Sequence, residues 1–241
     1  MGELSVSKPQ SMHLLYEKLR RKKMVFRHVC EVGVYHPEAA HFVDFIRQGV
    51  RTTLVEANPE AAAALHAAFN AQNVSIHAVA VWDTHGTLTL SNAAASTFAT
   101  ALPSSPALEN DHHRIHAGNT FEVPCVPFST LDDGSIDLLG VDIEGGEWYV
   151  LKHLHSRPKV LCIETHGKYY TNPFLAEITQ WLHSHGYALW YKDGSDSVYI
   201  QRGLFPVSLQ DRTTTAFAEL SIHWDKFRRR FKRSANVYQH Q

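Results

Sequence analysis

Hydrophobic positions along this chain fall into two rhythms that take turns. Short, nearly continuous apolar runs predict strands, and stripes recurring every three to four residues predict helices. Residues 14–24 read as a short basic amphipathic helix, and residues 25–33 as a first strand. Phe42, Val43, Phe45 and Ile46 then mark the apolar face of a helix opening at Pro37-Glu38 and stopping at Gly49. Proline suits a first helical position, and glycine the position just past the last. A second strand spans residues 52–56, after which Asn58 can cap a helix whose first turn Pro59 fixes. Residues 74–82 form a third apolar run. A turn at residues 83–86 leads into the alternating stretch 87–90.

Between residues 91 and 120 the rhythm breaks: Ala, Ser, Asn and His dominate with no sustained period, which predicts a lid or insertion. Strands at 121–128, 136–143 and 160–164 follow, with a helix at 148–154. Asn172-Pro173 opens a further helix that buries Ile178, Trp181 and Leu182 and ends at Gly186. Residues 187–191 and 197–201 pair as a hairpin through 192–196. The expected organisation is an N-terminal helical extension (1–24), one domain (25–205) and a basic helical tail (206–241). Strand–helix alternation with a closing hairpin predicts a Rossmann-like, doubly wound α/β fold, its sheet mostly parallel with a terminal antiparallel hairpin.

Ligands of such sheets sit at the carboxyl ends of the strands, where the strand order reverses. The first strand ends in Glu31-Val32-Gly33, and the second in Glu56-Ala57-Asn58. Glu56 stands 23 residues after Gly33, where a nucleoside-binding unit carries its ribose acceptor. A pyrophosphate needs several glycines in the first turn. This turn, Gly33-Val34-Tyr35-His36-Pro37-Glu38, has one, with acids on both sides. Carboxylates repel a diphosphate and attract the ammonium and sulfonium of S-adenosylmethionine. The turn therefore favours S-adenosylmethionine over a nicotinamide dinucleotide.

Further along, Asp142 and Glu144 share one side if their strand extends that far. Glu147 falls near the start of the next helix, where a negative charge is favourable. Glu164 and His166 end the neighbouring strand.

Composition narrows the partners. A formal net charge of −1 argues against general nucleic-acid binding. The local exception, Arg228-Arg229-Arg230 with Lys232 and Arg233, reads as a solvated helix face. Three cysteines, Cys30, Cys125 and Cys162, lie in apolar runs without framework spacing and point to a reducing, cytoplasmic setting. No secretory leader and no membrane span are expected. Metal is not expected. Asp142, Glu144 and Glu164 are oxygen ligands able to hold Mg²⁺. His112, His113 and His116 include the spacing of a helical zinc pair but lack a third ligand.

The segment Val141-Asp142-Ile143-Glu144-Gly145-Gly146-Glu147, followed by Val150-Leu151-Lys152, resembles the signature of FkbM-type methyltransferases. Glu31-Val32-Gly33, Glu56-Ala57-Asn58-Pro59, Ala78-Val79-Ala80 with its Asp-x-x-Gly turn, Thr130-Leu131-Asp132 and Ile163-Glu164 follow in the same order. The resemblance spans roughly residues 25–205 and implies a class I methyltransferase fold. The implied activity is S-adenosylmethionine-dependent methylation of a hydroxyl on a sugar or natural-product small molecule. It implies Glu31 and Gly33 at the methionine end of the cofactor, Glu56 at the ribose and Val79-Ala80 beside the adenine. Val34, Ala57, Asn58 and Asp142 complete the expected cofactor contacts.

Asp142, Glu144 and His166 are the expected catalytic residues, because an alcohol needs a positioned base. Family members usually read Gly-Ala-Asn-x-Gly in the first turn, where this chain has Val34, Tyr35 and Pro37. That departure keeps a second reading open, a non-catalytic methyltransferase-fold scaffold. The terminal helices offer a surface for a homodimer.

Overall fold

The structure, a computed structural model, describes residues 9–70, 72–93 and 96–237. Strands β1 (His28–Val32), β2 (Arg51–Val55), β3 (Val74–His77), β4 (Ala80–Val81), β5 (Gly86–Asn92), β6 (Thr97–Ala99), β7 (Thr120–Val126), β8 (Leu138–Val141), β9 (Val160–Glu164), β10 (Tyr187–Asp193) and β11 (Asp196–Gln201) form two sheets. The larger has seven strands in the order β10-β11-β9-β8-β1-β2-β3. Its five inner and far strands run parallel, while β11 is antiparallel to both β9 and β10. This is the Rossmann-like class I methyltransferase architecture with the expected terminal hairpin. Strand order reverses between β1 and β8, which sets the ligand crevice at their carboxyl ends.

Alternation along the central strands sends successive side chains to opposite faces of the sheet. Cys30, Leu139, Leu161 and Ile163 pack on one face against α5 (Glu147–Leu151) and α6 (Leu175–Ser184). Val29, Leu138, Val160 and Cys162 pack on the other with α1 (Pro9–Arg21) and α2 (Val43–Arg47). Leu138, Leu139 and Leu161 are fully enclosed, and truncating such a leucine to alanine costs about 2–5 kcal/mol. Helix α3 (Pro59–Phe69) starts as its sequence predicts: the Asn58 side chain accepts from the Glu60 and Ala61 amides, with Pro59 in the first turn. All three cysteines are buried and unpaired.

Two elements differ from expectation, and a third carries structure that its sequence did not announce. The helix expected over 37–49 is broken into a 3₁₀ turn at Pro37–Ala39 and the separate α2. The Glu31 carboxylate accepts the His41 and Phe42 amides, and the α-helix begins only at Val43, six residues after Pro37. The apolar run 74–82 serves two sheets, β3 in the large one and β4 in the small one, with residues 78–79 crossing between them.

The 91–120 stretch is not structureless. Together with its flanks it builds the four-stranded sheet β4-β7-β5-β6 and a short helix α4 (Pro106–Glu109); residues 94 and 95 lie outside the described residues. The strand expected at 121–128 is β7 of this small sheet, antiparallel to β5. His113 bonds Ser91 and Asn119, and His116 caps the 3₁₀ turn Ala117–Asn119.

The first helix and the start of the last helix meet at the β10 edge. Lys18 Nζ lies 2.5 Å from Asp211 Oδ1, and Asp211 also accepts from the Trp190 indole. Asp211 belongs to α7 (Leu209–Val237), a long helix whose sheet-facing side includes Thr215. Its other side exposes Phe217, Leu220, Trp224 and Phe227 at helical spacing. The side chains of Arg229, Arg230, Lys232 and Arg233 in the basic run lie outside what is described. No described helix is long and apolar enough to cross a membrane.

Candidate functional site

A cavity of about 1110 Å³ opens over the carboxyl ends of β1, β2 and β8. The small sheet closes its far side with Leu88, Leu90, Thr97 and Ala99. Of the residues expected to bind cofactor, Gly33, Val34, Glu56, Ala57, Val79, Ala80 and Asp142 line it, and so does Glu144.

Gly33 is the point where two strands touch. Its amide donates to the Val55 carbonyl, and its φ of +85° suits glycine. A Cβ there would stand 1.8 Å from the Asp142 carbonyl oxygen and 2.9 Å from Ile143 Cγ2. Only a residue without a side chain lets the two loops meet at the switch point.

Glu56 is buried and organises the first turn. Its Oε2 accepts the Val34 and Tyr35 amides at 3.0 and 2.8 Å, and its Oε1 accepts the Asn58 amide at 2.7 Å. Burial raises its pKa, and these backbone bonds oppose the rise. A carboxylate has about four acceptor positions, so a ribose hydroxyl would share Glu56 with the turn. Asn58 itself is occupied as the α3 cap and is not on the cavity wall.

Glu31 is likewise behind the wall, 1% exposed. Besides its two amide partners, it has His41 Nδ1 at 3.1 Å from Oε1. His41 lines the cavity, and its Nε2 lies 3.8 Å from Asp196. Burial alone would lower the pKa of this imidazole. The hydrogen bond and charge of Glu31, with Asp196 and Asp142 beyond, outweigh that and push it up to about 9. His41 is therefore an imidazolium at neutral pH, locked among acids.

Strand β8 ends at Val141, so strand alternation does not bring Asp142 and Glu144 together as the sequence pattern predicts. A tight turn does it instead, with Glu144 in the left-handed region at φ 58°, a conformation costing about 1–2 kcal/mol for a non-glycine residue. Glu147, fully buried, holds that turn: its Oε1 accepts the Ile143 and Gly145 amides, and its Oε2 is bonded by the Asn172 amide. Burial, with the charge of Asp142 nearby, pushes Glu147 up to about 7.

Glu164, the last residue of β9, is 6% exposed and stands beside the rim without lining the cavity. Burial and the Asp142 and Glu144 charges raise its pKa well above the usual range. His166 is also buried off the cavity wall, its Nδ1 3.0 Å from Thr165 Oγ1.

Sequence reasoning missed His41 and the hairpin-turn residues Asp193, Gly194, Ser195 and Asp196 on the cavity wall. The hairpin signal marked them as a turn. Their place over the site follows from the Thr165 amide bonding the Ser195 carbonyl at 3.1 Å, a contact between distant segments.

A family profile described as Methyltransferase FkbM domain matches residues 31–189. The chain belongs to the FkbM methyltransferase family. This is a family of S-adenosylmethionine-dependent enzymes, and the matched segment holds every cavity residue named above except the hairpin-turn residues. No curated protein sequence matches this FkbM-family chain.

Several solved structures are similar to it in fold. Magnesium protoporphyrin IX methyltransferase from Synechocystis PCC 6803, solved with bound S-adenosylmethionine, is 8% identical at a TM-score of 0.47, over 83% of this chain and 86% of that one. The methyltransferase domain of a bacterial Hen1 is 10% identical at 0.44, over 80% and 97%. A putative caffeoyl-CoA O-methyltransferase from Staphylococcus aureus is 12% identical at 0.44, over 82% and 86%.

Proposed function

We propose that this FkbM-family chain is an active methyltransferase that binds S-adenosylmethionine in the described cavity and O-methylates a hydroxyl of a sugar or natural-product small molecule. One observation carries the cofactor reading. The first-turn amides of Val34 and Tyr35, which a dinucleotide unit would aim at pyrophosphate, donate to the Glu56 carboxylate. The turn is thus anionic at its centre and suited to a cationic ligand. Val79 and Ala80 offer the apolar wall an adenine needs, and Glu56 the acceptor for a ribose.

Asp142 and Glu144 face the place where cofactor and acceptor meet. S-adenosylmethionine bound there would supply the methyl group, its carbon–sulfur bond breaking as the acceptor oxygen takes the methyl carbon, and Asp142 or Glu144 would accept the hydroxyl proton. Most of the rate comes from holding oxygen and methyl in line. His166, enclosed beside Thr165, serves as a positioning residue for the rim. The buried, unpaired cysteines support a cytoplasmic setting. The exposed apolar stripe of α7 gives a homodimer a surface to form on.

The test uses methyl-labelled S-adenosylmethionine with a panel of hydroxylated acceptors. The wild type should transfer label. Asp142→Asn should leave cofactor binding largely intact and slow transfer by about 10²–10⁴-fold; unchanged turnover would remove Asp142 from the chemistry. The crowded first turn, with Tyr35 at φ 53° and Pro37 just after it, favours the second reading, a non-catalytic scaffold. That reading predicts neither transfer nor cofactor binding.

A further inference from the structure

Asp142, Glu144 and Glu164 come from two neighbouring strand ends, and one carboxylate oxygen of each lies within 4.8 Å of the others. Asp142 Oδ1 and Glu164 Oε2 are buried and accept no hydrogen bond among the described residues. No salt bridge from a described lysine or arginine reaches Asp142 or Glu164. A third orphan points the same way. Tyr170 is fully buried, and its hydroxyl has no hydrogen-bond partner among the described residues. That hydroxyl packs 3.2 Å from where a Cβ on Gly145 would stand, and Asp142, Glu144, Glu147 and Glu164 all act on it electrostatically. Glu164 is buried and Asp142 and Glu144 are half-buried on the cavity wall, while the His41 imidazolium that Asp142 feels is already engaged by Glu31 and Asp196; carboxylates at such spacing call for a compensating charge, and buried polar atoms need partners. The donors are all oxygen, which suits a hard divalent cation and disfavours zinc or copper.

We propose that Asp142, Glu144 and Glu164 together hold one hard divalent cation at the mouth between β8 and β9. Residue order alone does not favour a metal there; the convergence of the three oxygens and the orphaned Tyr170 hydroxyl supply the reason. Size is consistent. An ion with oxygens at about 2.0–2.1 Å spans roughly 4.2 Å between opposite ligands, and one at about 2.3–2.6 Å spans roughly 5 Å. All three oxygens lie within 4.8 Å of one another, inside the roughly 5 Å that the larger ion spans. Tyr170 would donate to an ion-bound water or to a ligand's second oxygen.

Asp142 and Glu144 line the cavity and Glu164 does not, so the open coordination positions face the acceptor. The inference rests on the methyltransferase reading in one respect: an acceptor with two neighbouring oxygens, such as a vicinal diol, would fill those positions better than a lone hydroxyl.

The experiment titrates Mn²⁺ into the whole 241-residue chain at neutral pH, without cofactor or acceptor, and reads free Mn²⁺ by electron paramagnetic resonance. One saturable site displaced by Mg²⁺ or Ca²⁺ is expected, with Glu164→Gln weakening it at least about tenfold. Asp142→Asn should weaken it similarly and decides the matter should Glu164→Gln not fold by circular dichroism. Absence of a saturable site, or an unchanged site in the folded variants, overturns the proposal and leaves a shared proton as the compensating charge. Cofactor binding is measured separately by calorimetry on metal-free protein. Loss of the metal site with retained cofactor heat refutes the cation alone, and the reverse refutes the cofactor reading alone.

Discussion

The carbonyl oxygen of Asp142 occupies the space that a side chain on Gly33 would need, 1.8 Å from the ideal Cβ position. The contact joins the first-turn loop to the acidic loop after β8. Gly33→Ala must displace backbone and also adopt φ +85°. We expect it to destabilise the protein by about 3 kcal/mol or more, with soluble yield falling in parallel. Chemical denaturation measures this, and a wild-type midpoint would contradict the geometry described.

His41 makes stability depend on alkaline pH. Its folded pKa is raised from 6.5 to about 9, so its stabilising contribution is complete below 6.5 and is lost as pH rises through 9. A tenfold gain in proton affinity is worth about 1.4 kcal/mol, which sets a ceiling of about 3 kcal/mol on that contribution. Unfolding midpoints of wild type and His41→Gln, compared from pH 6 to 10, should converge toward the alkaline end. A constant gap across that range would show that the imidazolium is not what Glu31 and Asp196 hold.

Asp132 works far from the cavity. Its carboxylate accepts the Gly134, His155 and Ser156 amides and the Ser156 hydroxyl, tying the loop before β8 to the loop after α5. Asp132→Ala leaves those buried donors unmet and should cost about 3 kcal/mol. Cofactor affinity, measured by calorimetry below the unfolding range, should stay within about twofold, since no Asp132 contact reaches the cavity wall. A tenfold loss would show that this latch also shapes the site.

Much of the fold was legible because its signals are local. Residues 160–164 read as a strand and are one, and Asn58-Pro59 marked a helix start that the Asn58 cap fulfils. The failures share a cause, a distant group overriding a local signal. Pro37-Glu38 looked like a helix start, but Glu31 captures the amides of His41 and Phe42 and moves the helix to α2. The apolar run 74–82 carries nothing to announce that residues 78–79 leave one sheet for another.

The site followed the same division. Gly33, Glu56 and Asp142 sit at strand ends and were foreseeable from topology. The Gly194–Asp196 turn reaches the cavity through contacts between segments far apart in sequence, and His41 is set there by Glu31, ten residues before it, with Asp196 beyond. Asp142 and Glu144 were paired for the wrong reason, since the left-handed backbone at Glu144 and not strand alternation brings them to one rim.

The central claim is that the cavity over Gly33, Glu56 and Asp142 is built for a cationic nucleoside. Isothermal titration calorimetry of the whole 241-residue chain with S-adenosylmethionine tests it most directly, with NAD as the comparison ligand. The account predicts one saturable site for S-adenosylmethionine and no saturable heat for NAD. Saturable binding of NAD, or no heat from S-adenosylmethionine with folded protein, would contradict it.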